Sequence, residues 1–370
     1  MTSAVPNIKN ASPKDQHRRK MQTYISFLLI VSVFIITILV SAMIGPVGPL
    51  GSTMPDGMPF NAFWDIITGN GDTWPQYRSA ILESRLPRII LALLVGCALS
   101  SSGTAMQALF RNPMADPYII GISSGAAVGA AVAVFIPMGI IGLAGAAAAG
   151  LRQYILPLFA FCGATATVFG VYSIARGASG RLRVETFLLS GIAVGSFLSA
   201  VTALLMYISG RQFNYLFFWL LGGLSGATWR EVIISIFPIT VGVAMLLFFS
   251  RELNAISVGE EPAMHVGIDV EKLKKVLLVT AAMLAGTAVA FSGIIGFVGL
   301  IIPHTARLIV GPNHKVLLPA ATISGGIFLI LADTAARTVM QPTEIPIGII
   351  TAMCGAPFFL YLLWKSRWKR

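Results

Sequence analysis

Apolar residues in this chain fall into blocks of about twenty, separated by short polar connections. A helix of that length crosses the hydrocarbon core of a bilayer, so each block predicts one membrane-spanning helix. We predict ten spans, near residues 22–44, 86–108, 118–137, 153–175, 186–208, 230–250, 276–292, 294–311, 316–334 and 346–364. Transmembrane β-strands would give alternating segments of about ten residues, which these blocks do not resemble. The predicted fold is an all-α polytopic membrane protein with its helices in a compact bundle.

Three glycines divide one long apolar stretch. Gly293, Gly296 and Gly299 interrupt a run that is too long for one bilayer-spanning helix. We expect a tight extracytoplasmic turn at this point. Glycine and alanine are abundant inside the other blocks as well, and small residues let helices approach closely in a membrane.

Charged residues make up only 11% of the chain, and their distribution predicts its topology. The net charge of +11 comes from Lys and Arg at the ends of apolar blocks, mostly on one side. This is the pattern of the positive-inside rule rather than of a nucleic-acid-binding surface. We therefore predict a multi-pass protein of the cell membrane that contacts lipid, has both termini in the cytoplasm and binds no nucleic acid. A cytoplasmic tail (1–20) precedes one transmembrane domain (21–370), which includes an extracytoplasmic loop at 45–85.

A long polar segment, residues 251–275, interrupts the apolar blocks on the cytoplasmic side. Its length and its charges of both signs predict contact with a soluble partner. Acidic residues and proline suit the start of a helix, and glycine suits its end. We predict two short helices, Pro262–Val266 and Val270–Lys275, joined at Gly267.

Motifs that would carry chemistry are scarce. No G-x-x-x-x-G-K-[ST] occurs, so an ATPase that drives this protein would be a separate polypeptide. Residues 121–125 match G-x-S-x-G, but a Pro-rich loop precedes them where that motif needs a strand. The four histidines lack metal-ligand spacing. We predict no catalytic residue, no metal site and no permanently bound cofactor, and leave His304 open between an axial ligand and a polar packing residue.

Polar residues near the span ends have two interpretations each. Arg85, Arg88 and Arg337 lie on the outer side, where they either bind an acidic partner or anchor locally, as in an Asp333–Arg337 pair. Residues 111–117 form an inner loop with two prolines, which is either a rigid gate or a plain connector.

Several segments together resemble the FecCD family of ABC-importer permeases, which includes vitamin B12-type permeases. They are SRLPR (84–88), LLVGCALSSSGTAMQALFRNPMADPYIIGISSGAAVGA (93–130), LLSGIAVG (188–195), WLLGG (219–223), VGEEPAMHVGI (258–268), GFVGLIIPHTARLIVG (296–311), LLPAATISGG (317–326), LADTAAR (331–337) and IPIGIITAMCGAPFFLYLL (345–363). The segment before residue 80 matches only in its character.

The resemblance implies roles for individual residues. The polar segment would be a loop that couples to the ATPase, since Glu261, Ala263 and Gly267 match an E-A-A-x-x-x-G pattern in which Pro262 replaces the first alanine. The full set of implied residues is as follows: ATPase coupling at Gly259, Glu260, Glu261, Ala263 and Gly267; binding-protein docking at Arg85, Arg88 and Arg337; and the translocation path and gate at Asn112, Met114, Ser190, Ser196 and Ser199.

The implied function is import of a metal chelate, with a ferric siderophore as the first expectation and heme or a corrinoid as alternatives. The implied assembly is a permease homodimer with two ATP-binding subunits and an extracytoplasmic binding protein, in which ATP is used by the partner subunit. An ion-coupled secondary transporter is the alternative from a different class, although such proteins carry buried ionisable groups and the predicted spans hold few.

Overall fold

The structure is a computed structural model that describes residues 13–44, 60–69, 74–135, 137–176 and 183–367. The α-helices, in chain order, are α1 (Pro13–Met43), α2 (Phe60–Ile67), α3 (Pro75–Ser79), α4 (Leu86–Leu109), α5 (Ile122–Phe135), α6 (Pro137–Arg176), α7 (Val184–Ile208), α8 (Phe213–Leu220), α9 (Trp229–Phe248), α10 (Ser250–Val258), α11 (Glu260–His265), α12 (Val270–Ser292), α13 (Val298–Val310), α14 (His314–Thr338) and α15 (Ile347–Arg367). A π-helical turn, Ala80–Arg85, leads into α4, and 3-10 turns lie at Pro117–Ile120 and Gly210–Gln212.

The predicted spans correspond to helices of two lengths. Among the described residues, seven helices are long and apolar enough to cross a membrane, namely α1, α4, α6, α7, α9, α12 and α14. Shorter apolar segments occupy the remaining predicted positions, namely Ile122–Val134 in α5, Val298–Val310 in α13 and Ile347–Tyr361 in α15. α5 has 14 residues and α13 has 13, which is about 20 Å of helix against a hydrocarbon core of about 30 Å. The prediction of an all-α polytopic fold is confirmed.

Two helices begin earlier than the apolar blocks indicate. α1 begins at Pro13, inside the predicted tail. α6 begins at Pro137 instead of the predicted 153 and runs for 40 residues. The intervening sequence is rich in alanine, which has the highest helix propensity, so the helix extends beyond the hydrophobic block.

α4 forms the centre of the bundle, where nearly all of its residues are buried. It packs against α9, α12, α13 and α14. Glycines permit the closest approaches: a Cβ added at Gly96 would collide with the carbonyl oxygen of Gly325, and one at Gly103 with that of Gly299. Serine hydroxyls of α4 also donate to backbone carbonyls of α12 and α14. Small residues therefore hold this bundle together by close backbone contact.

The chain turns between α12 and α13 at the predicted glycines. Gly293 adopts a positive φ of 66°, a conformation that glycine reaches without a steric penalty. The Gly223 N–H donates to the Ser292 carbonyl at 2.8 Å, which ties the outer end of α12 to the segment after α8. The prediction of a break here is confirmed.

Candidate functional site

The polar segment after α9 contains two short helices on the side predicted to be cytoplasmic. α10 buries Leu253 and Ile256, whereas α11 buries a single small side chain, that of Ala263. Gly259 joins the two helices in an extended conformation, with φ of 162°. α11 is therefore held by few apolar contacts of its own.

The second short helix predicted in this segment is wrong. Val270–Lys275 forms the start of α12, which continues without a break to Ser292. The Asp269 side chain caps this helix by accepting a hydrogen bond from the Lys272 N–H at 3.0 Å. Glu, Lys and Leu are all good helix formers, so the change from polar to apolar residues along α12 does not end the helix.

Gly267 ends α11 in a Schellman motif. Its φ of 82° is left-handed. The Gly267 N–H donates to the Met264 carbonyl at 2.9 Å, and the Ile268 N–H donates to the Ala263 carbonyl at 3.1 Å. These two bonds satisfy carbonyls that the end of a helix leaves free. The spacing between Ala263 and Gly267 therefore has a structural basis in the helix terminus.

Pro262, the departure from the E-A-A-x-x-x-G pattern, lies in the first turn of α11. A proline is tolerated there because an N–H in the first turn has no partner inside the helix. A Cβ added at Gly259 would lie 3.1 Å from Pro262 Cδ. Glycine at position 259 thus leaves room for the proline ring, and the helix forms despite the departure.

The α11 surface, as we call it, consists of Val258, Glu261, Met264, His265 and Val266. All five residues are exposed, and the apolar members are 74%, 55% and 71% exposed for Val258, Met264 and Val266. Exposed apolar side chains beside polar ones are typical of a protein contact site. This surface has the chemistry to enter a groove on a soluble partner.

Lys274 is a functional candidate that the sequence did not reveal. It is 1% exposed, and its Nζ atom lies 2.8 Å from Glu260 Oε2 and 3.2 Å from Glu271 Oε1. The i, i+3 spacing of Glu271 and Lys274 predicts their pairing. The longer link to Glu260 depends on the turn at Gly267 and on the position of α11.

The three arginines predicted to contact an external partner are buried instead of lying on the outer surface. Arg85, Arg88 and Arg337 are 3%, 8% and 4% exposed. Arg88 Nε donates to Asp333 Oδ1 at 2.8 Å, and Arg88 Nη1 donates to Glu344 Oε1 at 2.9 Å. Arg337 Nε lies 3.1 Å from Asp333 Oδ2. These contacts match the alternative of local anchoring, and a docking role stays an untested prediction.

Two of these arginines, Arg85 and Arg337, attach the outer end of α1 to the bundle. Arg85 Nη1 donates to the carbonyl oxygens of Ala42 and Met43, at 2.7 and 3.1 Å. Arg337 Nη2 donates to Ser41 Oγ at 3.0 Å. Because a helix end leaves its last carbonyls without intrahelical partners, a buried guanidinium stabilises it.

The inner loop between α4 and α5 is ordered by two side chains. Asn112 Oδ1 accepts a hydrogen bond from the Met114 N–H at 2.9 Å. Asp116 Oδ1 accepts one from the Tyr118 N–H at 2.7 Å and starts the 3-10 turn. Burial raises the pKa of Asp116 to about 6, although the Tyr118 hydrogen bond opposes this effect. These two bonds hold the backbone of the loop, and its role as a gate stays a prediction.

The serines predicted to line the pathway lie on α7. Ser196 and Ser199 are exposed, Ser190 is half-buried, and Ser199 Oγ lies 3.2 Å from Ser124 Oγ on α5. α7 packs directly on the turn that follows the inner loop, where a Cβ added at Gly191 would lie 2.7 Å from the Ile119 carbonyl oxygen. The structure therefore places the predicted gate loop and the predicted pathway helix side by side.

His304 lies on α13 and is partly exposed. In the part of the chain that the structure describes, no three His, Cys, Asp or Glu side chains are grouped to hold a metal ion. The axial-ligand interpretation of His304 gains no support from its neighbours.

The long apolar helices make this a multi-pass protein of the inner membrane, and the family match makes it a permease. Residues 33–365 match the FecCD transport family, and the chain belongs to this family.

Named relatives differ in what they carry. The cobalamin import system permease protein BtuC of Halobacterium salinarum is 48% identical over 280 residues, which is 75% of this chain and 72% of that protein. The Fe(3+)-citrate import system permease protein YfmE of Bacillus subtilis is 40% identical, over 76% of this chain and 81% of that protein. The hemin transport system permease protein HmuU of Yersinia pestis is 38% identical, over 85% of this chain and 90% of that protein.

Two solved structures are similar to the described fold. One shows an inward-facing conformation of a protein described as a metal-chelate type ABC transporter, with a TM-score of 0.77 and 31% identity, covering 92% of this chain and 99% of that one. The other, PsaBC from Streptococcus pneumoniae in complex with Fab, has a TM-score of 0.54 and 16% identity and covers 81% of this chain and 94% of that one. The second likeness concerns the fold alone.

Proposed function

We propose that the chain is the membrane subunit of an ABC importer that carries a metal chelate into the cell, with a corrinoid as the first candidate. The observation that favours a corrinoid is the 48% identity to a cobalamin import permease, against 40% and 38% for the iron(III)-citrate and hemin permeases. A ferric siderophore, the first expectation from the sequence, becomes the second candidate, because an iron-chelate permease matches over a similar length of the chain at lower identity. The chain itself is a transport subunit, and ATP hydrolysis belongs to a partner.

The proposed assembly is a homodimer with two ATP-binding subunits and one extracytoplasmic binding protein. α7 supports the homodimer, since it leaves large apolar side chains exposed along its length, among them Leu189, Ile192, Phe197 and Leu204. It also exposes Ser196 and Ser199. A helix that presents apolar and hydroxyl groups together suits an interface that encloses a pathway better than a face covered entirely by lipid.

The α11 surface is the proposed contact with the ATPase. It lies at a connection between two long helices, α9 and α12, and exposes Met264 and Val266 beside the Glu261 carboxylate. Binding of ATP would move the ATPase subunits, and this surface would pass the movement to the spanning helices. The bundle would then shift between inward-open and outward-open populations.

Ligand identity is tested by purifying the cognate binding protein and measuring its equilibrium binding of cyanocobalamin, hemin and a ferric siderophore. Binding of cyanocobalamin alone supports the corrinoid proposal, while binding of hemin or the iron chelate alone overturns it. The importer proposal is tested separately, by co-purification of the chain with a P-loop ATPase in detergent. A chain that imports ligand in vesicles without any ATPase would instead indicate a secondary transporter.

A further inference from the structure

Lys274 is the buried cation at the predicted cytoplasmic end of the bundle. In the described part of the chain, the other buried charged residues, Arg85, Arg88, Asp333 and Arg337, all lie at the opposite end. Removing an ammonium group from water is costly unless it is paired. Lys274 has two carboxylate partners, at 2.8 Å from Glu260 and 3.2 Å from Glu271.

The two carboxylates come from different helices. Glu271 lies on α12 itself, in the turn before Lys274. Glu260 is the first residue of α11, and glycines stand at both ends of that helix, Gly259 and Gly267. Since Ala263 is the buried side chain of α11, the charged bond from Glu260 to Lys274 is a principal restraint on where α11 lies relative to α12.

α12 extends from this bond across the protein. It contains 23 residues, about 34 Å of helix at ~1.5 Å per residue. Its outer end is tied to the segment after α8, because the Gly223 N–H donates to the Ser292 carbonyl at 2.8 Å. A displacement of α11 that reaches Lys274 therefore has a continuous helical route to the outer side.

We propose that Lys274 is a positioning residue that joins α11 to α12, so that a displacement of α11 by the ATPase moves a membrane-spanning helix. This inference rests on the proposed function, in which the α11 surface contacts the ATPase. Lys274 itself is too buried to contact that partner. It acts through its ion pair with Glu260. Without this ion pair, α11 would move by rotation about Gly259 and Gly267 while α12 stays in place.

The test measures movement of the segment after α8, which the Gly223–Ser292 hydrogen bond ties to the outer end of α12, in the assembled complex with its ATPase. A cysteine replaces the exposed Ser225 in a chain without the native cysteines, and a spin label on it reports one distance between the two permease copies. Distances are recorded without nucleotide and with ATP trapped by vanadate. The variants are Lys274→Met, the charge-conserving Lys274→Arg, and Lys275→Met, a matched control at the exposed neighbouring lysine.

We expect the ATP-dependent distance change in the unmodified chain, in Lys274→Arg and in Lys275→Met, and its loss in Lys274→Met. A distance change that survives in assembled Lys274→Met complexes overturns the inference, because a residue needed only for folding lowers the yield and leaves the movement intact. If Lys274→Met fails to assemble, Glu260→Ala serves instead, since Glu271 still neutralises the lysine. Loss of the movement then supports the inference and its retention overturns it. An unmodified chain without any ATP-dependent change overturns the proposed function itself.

Discussion

Arg88 and Asp333 form a buried ion pair that joins α4 to α14 at their outer ends, with 2.8 Å between Nε and Oδ1. Asp333 is 1% exposed and also pairs with Arg337 through its second oxygen, at 3.1 Å. One carboxylate thus pairs with two guanidinium groups in a buried site. Glu344 adds a second negative charge from the segment before α15.

Replacing Asp333 with Asn should lower the free energy of unfolding by about 3–5 kcal/mol, because two buried cations lose their shared partner. Thermal or denaturant unfolding in detergent measures this. Glu344→Gln is the matched control, since the Glu344 side chain is 36% exposed and its direct ion pair is with Arg88. An equally small effect for both variants would mean that the outer cluster contributes little to stability.

The same cluster allows the two roles of the outer arginines to be separated. The Arg337→Glu variant should give less folded protein. The molecules that do fold should bind the external binding protein with unchanged affinity. Folded yield and binding-protein affinity are measured on the same preparation. If the variant folds as well as the unmodified chain but loses salt-sensitive binding of the binding protein, the docking prediction is supported.

Gly96→Ala should destabilise the bundle by roughly 1–3 kcal/mol, the range typical of overpacking. The added methyl group would collide with the backbone of α14 at Gly325, and a backbone cannot rotate away as a side chain can. Gly170→Ala is the control, because no atom lies within 4 Å of a Cβ at that position on α6. Unfolding midpoints in one detergent compare them, and equal midpoints would contradict the close packing.

Gly267→Ala should reduce ligand uptake per ATP hydrolysed, because a left-handed residue other than glycine costs roughly 1–2 kcal/mol and shifts the end of α11. Gly267→Asn should be milder, since Asn tolerates this conformation better. Gly226→Ala provides the control: its φ is 81°, with no atom near a Cβ, and it lies between α8 and α9. Uptake and hydrolysis are measured together in vesicles, and equal losses at positions 226 and 267 would argue against coupling.

Ionisation of the Asp116 carboxyl group should lower the free energy of unfolding as pH rises from about 4 to about 6. Burial raises its folded pKa to about 6 from an ordinary value of 3.8, so the folded state binds more protons in this interval and stability falls as they leave. The Asp116→Asn variant keeps the acceptor for the Tyr118 N–H and removes the titration. The measurement is the difference in unfolding midpoint between the two proteins across this pH range, and a constant difference would contradict the raised pKa.

Hydrophobic block length was enough to locate the long apolar helices, because a spanning helix must be apolar over a fixed distance. It did not locate helix ends. The start of α6 at Pro137 lies in an Ala-rich run that hydropathy does not distinguish from a loop, and Val270 begins α12 within a charged run. In both places backbone propensity continues a helix beyond the apolar block.

The contacts between distant segments were beyond sequence reasoning. Arg88 and Asp333 are 245 positions apart, and their pairing depends on α4 and α14 crossing at glycines. Lys274 looks like one more basic residue at a span end until the turn at Gly267 brings Glu260 against it. Sequence indicated Gly267 itself, because a helix terminus of this kind needs a left-handed residue.

The α11 surface yields the most direct test of the ATPase contact. Met264→Asp combined with Val266→Asp should leave folding unchanged, since these side chains are 55% and 71% exposed and bury little in the isolated chain. Contact with a partner would bury them, and each buried apolar side chain contributes about 1.5–3 kcal/mol, so a charged replacement should weaken the complex at least roughly ten-fold. Co-purification with the ATPase at several concentrations measures the loss.

Val339→Asp, at a residue 67% exposed at the end of α14, is the control that should leave the complex intact. If the double variant binds the ATPase as well as the control does, the α11 surface is not the contact, and another cytoplasmic segment must provide it.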